Sequence, residues 1–187
     1  MNIYVRLAEH QKIESKRLWL RPFFMKDTTD MFEYSSDAAN LEFIFPPHRT
    51  MEQTKFILAN HFMREPLGKW AIELKDEKKM VGALQCVKLS ERGEIAELAY
   101  VLNKRYWNQG LMTEALQVLT DTCLQQIGLK AIVLNCDTKN YGSIQVAKKA
   151  GYRRAGRFKG SNQYTGRISE FEKYEVKRNQ AAGASHV

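Results

Sequence analysis

The sequence predicts a mixed β-sheet with helices on its faces, α+β or α/β in class. Three observations lead to this prediction. Residues 69–102 hold three alternating or apolar stretches joined by short turns, which is the pattern of an antiparallel meander. Residues 112–127 repeat apolar side chains at helical spacing. A buried strand, a short helix and a last pair of strands follow, so helices and strands alternate along the second half of the chain.

The N-terminal quarter predicts one strand and two helices. Residues 17–24, RLWLRPFF, alternate like a strand, and Pro22 should confine that strand to a sheet edge. Asp27 is expected to cap a short helix. Thr50 and Gln53 have the spacing of a capping box that opens a second helix. The side chains expected to be buried by that second helix are Phe56, Ile57, Ala59 and Met63.

The meander should consist of strands around residues 70–74, 80–89 and 94–102. Lys78 and Lys79 indicate the first turn, and residues 91–93, ERG, indicate the second. The third strand, EIAELAYVL, is apolar on both faces apart from Glu97 and Tyr100. This pattern is typical of a central strand.

The second half places a helix over residues 112–127, ended by Gly128, and a buried strand over residues 130–136. Asn140 is expected to cap a short helix that Gly151 ends, before strands at 152–158 and 170–177. We expect one domain over residues 1–178 and a frayed tail over residues 179–187.

Composition limits the classes of function. The chain has 187 residues and a net charge of +8, and it is 44% hydrophobic. Between residues 139 and 178 there are eleven Lys or Arg against three Glu, while the rest of the chain holds 18 basic and 18 acidic residues. This excess could serve an acidic partner, a phosphate-rich cofactor, a nucleic acid or merely a solvated face. An odd count of three cysteines favours reduced thiols in the cytoplasm, and no His or Cys spacing predicts a metal. No apolar run predicts a membrane span or a secretion signal.

The segment RYWNQGLMTEAL, residues 105–116, joins the central strand to the long helix. The first N–H groups of a helix have no partner within the helix, and the helix dipole favours an anion there. A single glycine, Gly110, is by itself more often a turn than a phosphate site. Neither a Walker loop nor the G-x-G-x-x-G fingerprint of dinucleotide sites is present.

Ordered motifs along nearly the whole chain add a resemblance. They are ESKRLWLRPF at 14–23, KWAIELKDEKKMVGAL at 69–84, AELAYVLNKRYWNQGLMTEAL at 96–116 and GLKAIVLNCDTKNYGSIQVAKKAGYRRAGRF at 128–158. The set resembles the GCN5-related N-acetyltransferases (GNAT), and within them the RimJ/RimL-like branch, which acetylates ribosomal-protein N-termini. From residue 159 onward the resemblance thins.

The resemblance implies acetyl-coenzyme A as the cofactor, bound where two strands of a splayed sheet part. It implies that the backbone of Tyr100, Val101 and Leu102 pairs with the pantetheine arm, and that Asn140 contacts this arm. Lys148 or its neighbour Lys149 would meet the 3′-phosphate end. The turn that would hold the pyrophosphate consists of Asn108, Gln109, Gly110, Leu111, Met112 and Thr113.

Two positions depart from the family loop, Q/R-x-x-G-x-G/A. Trp107 stands at the Q/R position, which is common in the RimJ/RimL-like branch, and Met112 stands at the last Gly/Ala. Met112 either points into the core, as the helical periodicity favours, or crowds the phosphates.

Acetyl transfer to an amine needs a base and a proton for the leaving thiolate. Glu97 is the candidate base, because a carboxylate among apolar neighbours should have a raised pKa. A solvent-facing or ion-paired Glu97 is the alternative. By resemblance Ser143 is the candidate acid, whereas by helix chemistry it could merely satisfy its own first turn. Tyr100 and Tyr141 are alternative donors.

The acceptor is the least determined part. The branch implies the α-amine of a ribosomal protein, and a polyamine, an amino acid or an antibiotic is the alternative. Aromatic residues that could wall its site, or equally belong to the core, are Phe43, Phe45, Trp70 and Tyr164. A non-catalytic acyl-CoA sensor and a nucleic-acid module are further hypotheses, although no DNA-binding signature is present. The family also implies a homodimer.

Overall fold

The computed structural model describes residues 2–90, 94–162 and 166–178. Its centre is an eight-stranded sheet in the order β1-β2-β3-β4-β5-β6-β8-β7. Neighbouring strands are antiparallel except for the parallel pair β5 and β6. The strands are β1 Ile13–Glu14, β2 Leu18–Arg21, β3 Lys69–Leu74, β4 Lys79–Leu89, β5 Ile95–Leu102, β6 Ala131–Asp137, β7 Arg153–Ser161 and β8 Ile168–Lys177. The predicted mixed sheet and its central meander are confirmed.

Helices cover both faces of the sheet. They are α1 Ile3–Glu9, α2 Thr28–Ser35, α3 Met51–Ile57, α4 Leu111–Asp121 and α5 Tyr141–Lys149. Helix α3 continues in a π-helical segment, Leu58–Met63, and α4 continues in another, Thr122–Ile127. No helix among the described residues combines the length and the apolar character that crossing a bilayer requires.

Two apolar cores result. The larger one packs α1, α4 and α5 against one sheet face, and the apolar stripe of α4 lies in it as its periodicity predicts. Gly128 ends the helical run with φ of 94°, a left-handed conformation that favours glycine. The smaller core packs α2 and α3 against the other face, over the half of the sheet that includes Met80, Ala83 and Val101.

The feature that positions the site is the parting of β5 and β6. These strands pair only at Ile95 with Ala131, Ala96 with Ile132, and Glu97 with Val133. Beyond Glu97, β6 stays paired with β8 through Asp137, and β5 stays paired with β4 through Leu102. A V-shaped gap therefore opens in the sheet immediately after Glu97.

Several N-terminal predictions need correction. Helix α1 and the two-residue strand β1 were not predicted, and because β1 pairs with β2, the strand before Pro22 is not at the edge. Phe56 is 66% exposed, whereas Thr54 and Leu58 are fully buried. Residue 56 lies about 200° around the helix from both, so it faces solvent.

Other capping predictions hold with changes. The amide of Gln53 donates to Thr50 Oγ1, but the Gln53 side chain accepts from the amide of Arg49 instead of Thr50. Asp27 directly precedes α2, yet its carboxylate binds the Arg21 guanidinium through two 2.8 Å contacts. Residue 78 forms the predicted turn, while Lys79 already begins β4. The predicted turn at 91–93 and the tail lie outside the described residues.

Candidate functional site

A cavity of about 840 Å³ lies at the open end of the V. It is bounded by the end of β5, the loop before α4, the first turns of α4 and α5, and residues 39–44. Its lining residues include Tyr100, Val101, Leu102, Trp107, Asn108, Gly110, Leu111, Met112, Thr113, Asn140, Tyr141, Ser143 and Lys149. Most of the predicted cofactor-binding residues therefore meet in one place.

The N-terminus of α4 faces this cavity without a side-chain cap. Gly110 occupies the N-cap position with φ of 74°, and no side chain hydrogen-bonds to the first turn from there. Asn108 also has a positive φ, 60°, which Asn tolerates better than most residues. The N–H groups of residues 111–113 therefore remain available to an anion, and the helix dipole adds to the attraction.

Met112 packs into the larger core and is only 4% exposed. The prediction that it serves as a core residue is confirmed. Its backbone N–H still belongs to the uncapped first turn of α4.

The β5 edge offers backbone groups to the cavity in alternation. The amide of Asn103 donates to Val81, so odd-numbered residues at this end of β5 direct their backbone groups toward β4. Tyr100 and Leu102 consequently face the gap, whereas Val101 contributes its side chain. The carbonyl of Leu102 accepts a 2.8 Å hydrogen bond from the Trp107 indole. Trp107 therefore fixes the C-terminal end of β5 through this hydrogen bond.

Ser143 is held at the opposite wall by α5. The Asn140 side chain caps the helix by accepting from the Ser143 amide at 3.0 Å, as predicted. Ser143 Oγ lies 2.7 Å from Tyr100 Oη and 3.4 Å from Cys136 Sγ. Burial raises the pKa of Tyr100 and of Cys136, so both groups stay protonated near neutrality. Together they form a hydrogen-bonded cluster of neutral proton donors.

Glu97 lies at the vertex of the V, where β5 and β6 make their last paired contact. Its side chain is half-buried, and by strand alternation it shares the sheet face of Ala99 and Val101. Burial raises the pKa of the Cys86 thiol to about 11, and the charge of Glu97 contributes to this shift. No ion-pair partner of Glu97 is found within residues 2–90, 94–162 and 166–178.

The two adjacent lysines of α5 have different surroundings. Lys149 lines the cavity, whereas Lys148 is exposed and interacts electrostatically with Glu172 on β8. Of the two predicted alternatives, Lys149 is therefore the one placed at the cavity, which Lys139 also lines. Sequence could not distinguish Lys148 from Lys149, because the choice depends on how α5 is rotated about its axis. Part of the remaining basic charge is paired on the β7–β8 ribbon, where Arg154 meets Glu172 and Arg157 meets Glu170.

The predicted aromatic wall is only partly present. Phe43 lines the cavity, and Phe45 stacks against His48 with 5.5 Å between ring centroids. Trp70 is 1% exposed and donates to the His10 carbonyl, so it belongs to the core. Tyr164 lies outside the described residues. The segment that carries Phe43 also supplies Ala39, Asn40, Glu42 and Ile44, which the sequence analysis did not single out.

No cluster of three or more His, Cys, Asp or Glu suited to a metal ion occurs in the part of the chain that the structure describes. An exposed strand edge next to an uncapped helix N-terminus suits a ligand that carries both amide groups and phosphates. A coenzyme-A-like ligand, with its pantetheine amides and its pyrophosphate, has this combination of groups.

Comparison with known proteins identifies the family. Residues 17–153 match the acetyltransferase (GNAT) domain model, and the chain belongs to this family of acetyltransferases. The uncharacterized N-acetyltransferase YnaD of Bacillus subtilis is 32% identical over 148 residues, which cover 79% of this chain and 85% of YnaD. The family prediction is thereby confirmed.

Solved structures agree with this assignment. A GNAT-family acetyltransferase from Bacillus anthracis has a TM-score of 0.81 and 26% identity, over 90% of this chain and 99% of that one. The RimL ribosomal L7/L12 α-N-protein acetyltransferase in complex with coenzyme A has a TM-score of 0.77 and 20% identity, over 89% and 97%. The second similarity supports the fold.

Proposed function

We propose that the protein transfers the acetyl group of acetyl-CoA to a primary amine. The observation that carries the proposal is the parting of β5 and β6 immediately after the Glu97–Val133 pair, toward an uncapped helix N-terminus. A thioester cofactor laid along the gap would have its phosphates at α4 and its reactive end near the vertex. The cavity of about 840 Å³ is within the usual size range of cofactor sites.

Each part of the cofactor has a matching group in this chain. The backbone of Tyr100 and Leu102 would pair with the pantetheine amides as an added strand does. The N–H groups of residues 110–113 would hold the pyrophosphate. Lys149 would make a charge-assisted contact with the 3′-phosphate end. When bound, acetyl-CoA supplies the acetyl group as an activated thioester.

We assign the proton transfers to two groups, Glu97 at the vertex of the V and Ser143 on α5. Glu97 would take a proton from the acceptor amine, directly or through one water molecule, which makes the nitrogen lone pair available. The Ser143 hydroxyl would donate a proton to the departing sulfur and would be resupplied through its 2.7 Å contact with Tyr100. The raised pKa of Tyr100 suits this role, because the phenol stays protonated near neutrality and has a proton to return to Ser143.

For the acceptor we propose the α-amine of a protein N-terminus, such as that of a ribosomal protein, with a small amine as the second candidate. The structural similarity to RimL supports the first choice. Glu42 on the cavity wall supports an acceptor that arrives as a cation, and this applies to both. The predicted homodimer, the cytoplasmic location and the single domain remain predictions.

Two measurements test the proposal. Acetyl-CoA in large excess over its Kd should raise the melting temperature by mass action, and no shift at about millimolar cofactor would remove both the enzyme and the sensor hypotheses. Thiol release should then be measured with peptides, polyamines, amino acids and aminoglycosides as acceptors. Binding without release for every acceptor would favour the sensor. Salt-sensitive binding of RNA or DNA without any effect of acetyl-CoA would favour the nucleic-acid module.

A further inference from the structure

Arg17 connects the segment before β2 to the loop before α4 through a forked set of contacts. Its Nε lies 2.6 Å from Glu114 Oε2, and its Nη1 donates to the carbonyl of Gln109 at 3.0 Å. The backbone amide of Arg17 and the hydroxyl of Ser15 both donate to Glu114 Oε1 at 2.8 Å. One guanidinium therefore holds a first-turn side chain of α4 and the loop backbone at the same time.

The contact with Gln109 sets the orientation of one peptide group. In a trans peptide the C=O of one residue and the N–H of the next point in opposite directions. Gly110 lines the cavity and Gln109 is not among its lining residues. Because Arg17 holds the Gln109 carbonyl, the Gly110 N–H points away from Arg17. Gly110 has no side chain to resist rotation of this peptide, so an external anchor is needed.

We propose that Arg17 is a positioning residue for the cofactor's pyrophosphate. It fixes the 109–110 peptide so that the Gly110 N–H joins the uncapped N–H groups of α4 as an anion site. This inference rests on the proposed function, because it assumes that the cavity binds coenzyme A. Arg17 acts through the loop backbone, because its Nε and Nη1 are engaged by Glu114 and by the Gln109 carbonyl.

Arg17 also neutralises the charge of Glu114, and this effect has to be distinguished from its effect on the 109–110 peptide. Glu114 sits in the first turn of α4, and an unpaired carboxylate there would repel a pyrophosphate. Burial alone would raise the pKa of Glu114, but the hydrogen bonds from Arg17 and Ser15 lower it overall, so it is ionised at neutral pH. A lysine at position 17 could neutralise Glu114, but it lacks the planar fork that reaches Glu114 and Gln109 together.

The test compares Arg17→Lys and Arg17→Gln with the unchanged protein by calorimetric titration. The probes are coenzyme A, dephospho-coenzyme A and pantetheine, of which only pantetheine lacks the pyrophosphate. We expect both variants to bind the first two ligands about tenfold or more weakly, since an oriented hydrogen bond to a charged group is lost. Pantetheine binding should stay within about twofold. In turnover, KM for acetyl-CoA should rise while kcat changes little.

A matched control lies next to Arg17. Lys75 forms an exposed ion pair with Glu14 and donates to the Ser15 carbonyl, and within the described residues its side chain forms no hydrogen bond or ion pair with the α4 loop. Lys75→Ala should bind all three ligands as the unchanged protein does, and the melting temperatures of all variants show whether folding is preserved. If Arg17→Lys binds coenzyme A as tightly as the unchanged protein, Arg17 does not position the 109–110 peptide. Its effect is then only to neutralise the charge of Glu114. An equal loss for pantetheine would mean that the whole cavity is disturbed. If the unchanged protein binds no coenzyme A, the proposed function itself fails.

Discussion

Gly82→Ala is the substitution whose effect on the site follows most directly from the geometry. Gly82 on β4 pairs with Leu102 on β5. A Cβ atom placed on Gly82 would lie 2.4 Å from the Val101 carbonyl oxygen and 3.2 Å from Leu102 Cα. Both contacts are with backbone, so no side-chain rotation can relieve them.

The expected cost can be worked from this overlap. Close carbon–oxygen contacts between strands lie at about 3.3–3.6 Å, so β5 would have to move by about 1 Å. Overpacking of this kind costs about 1–3 kcal/mol. For a protein of this size each kcal/mol corresponds to about 2–4 °C in melting temperature, which gives a loss of roughly 2–12 °C. The displaced segment also carries Tyr100 and Leu102, so coenzyme A affinity should fall as well.

Gly156→Ala is the matched control, because a Cβ atom on Gly156 in β7 would meet nothing within 4 Å. Both substitutions reduce the freedom of the unfolded chain in the same way, so their difference isolates the contact with Val101. Urea unfolding and coenzyme A titration of both variants give the two readouts. If Gly82→Ala is as stable as Gly156→Ala and binds coenzyme A equally well, the close packing of β4 on β5 does not determine the position of Tyr100 and Leu102.

Further predictions concern the proton transfers and the smaller core. Glu97→Gln should lower turnover at saturating acetyl-CoA by about a hundredfold or more with coenzyme A affinity unchanged, and unchanged turnover would remove Glu97 from the mechanism. Ser143→Ala should lower kcat more than Tyr100→Phe does; equal, small effects in steady-state assays would mean that the sulfur takes its proton from elsewhere. Burial lowers the pKa of His48 below 6.5, so the unfolded state binds a proton first and stability should fall as pH drops through and below 6.5. Urea unfolding of His48→Gln should lack this pH-dependent part; an identical pH profile would show that other groups cause it.

The elements that sequence predicted well depend on local signals. The stripe of α4, its end at Gly128 and the Asn140 cap of α5 each involve residues within a few positions of one another. Each of these signals can be satisfied within one helix end, without a partner from elsewhere in the chain. The signal for the predicted phosphate loop is equally local, since Gly110 lies immediately before the helix whose N–H groups it leaves uncapped.

What sequence could not predict depends on distance along the chain or on rotation about an axis. The contact between Arg17 and Glu114 joins residues 97 positions apart. Two-residue strands such as β1 have too few positions to show alternation. The predicted burial of Phe56 in α3 was wrong, because apolar character alone does not show which side of a helix meets the sheet. The choice of Lys149 over Lys148 is of the same kind.

The two halves of the site differ for a physical reason that bears on function. The proposed cofactor half consists mainly of backbone groups of β5 and α4, so we expect it to accept changes of side chain such as Met112 and Trp107 in place of the usual loop residues. The proposed acceptor half consists of the side chains of residues 39–44 that line the cavity, and we expect the cofactor not to constrain their identity. Exchanging residues 39–44 for those of a relative should therefore change the accepted amine while leaving coenzyme A affinity within about twofold. A loss of coenzyme A binding on this exchange would show that the two halves are not separable.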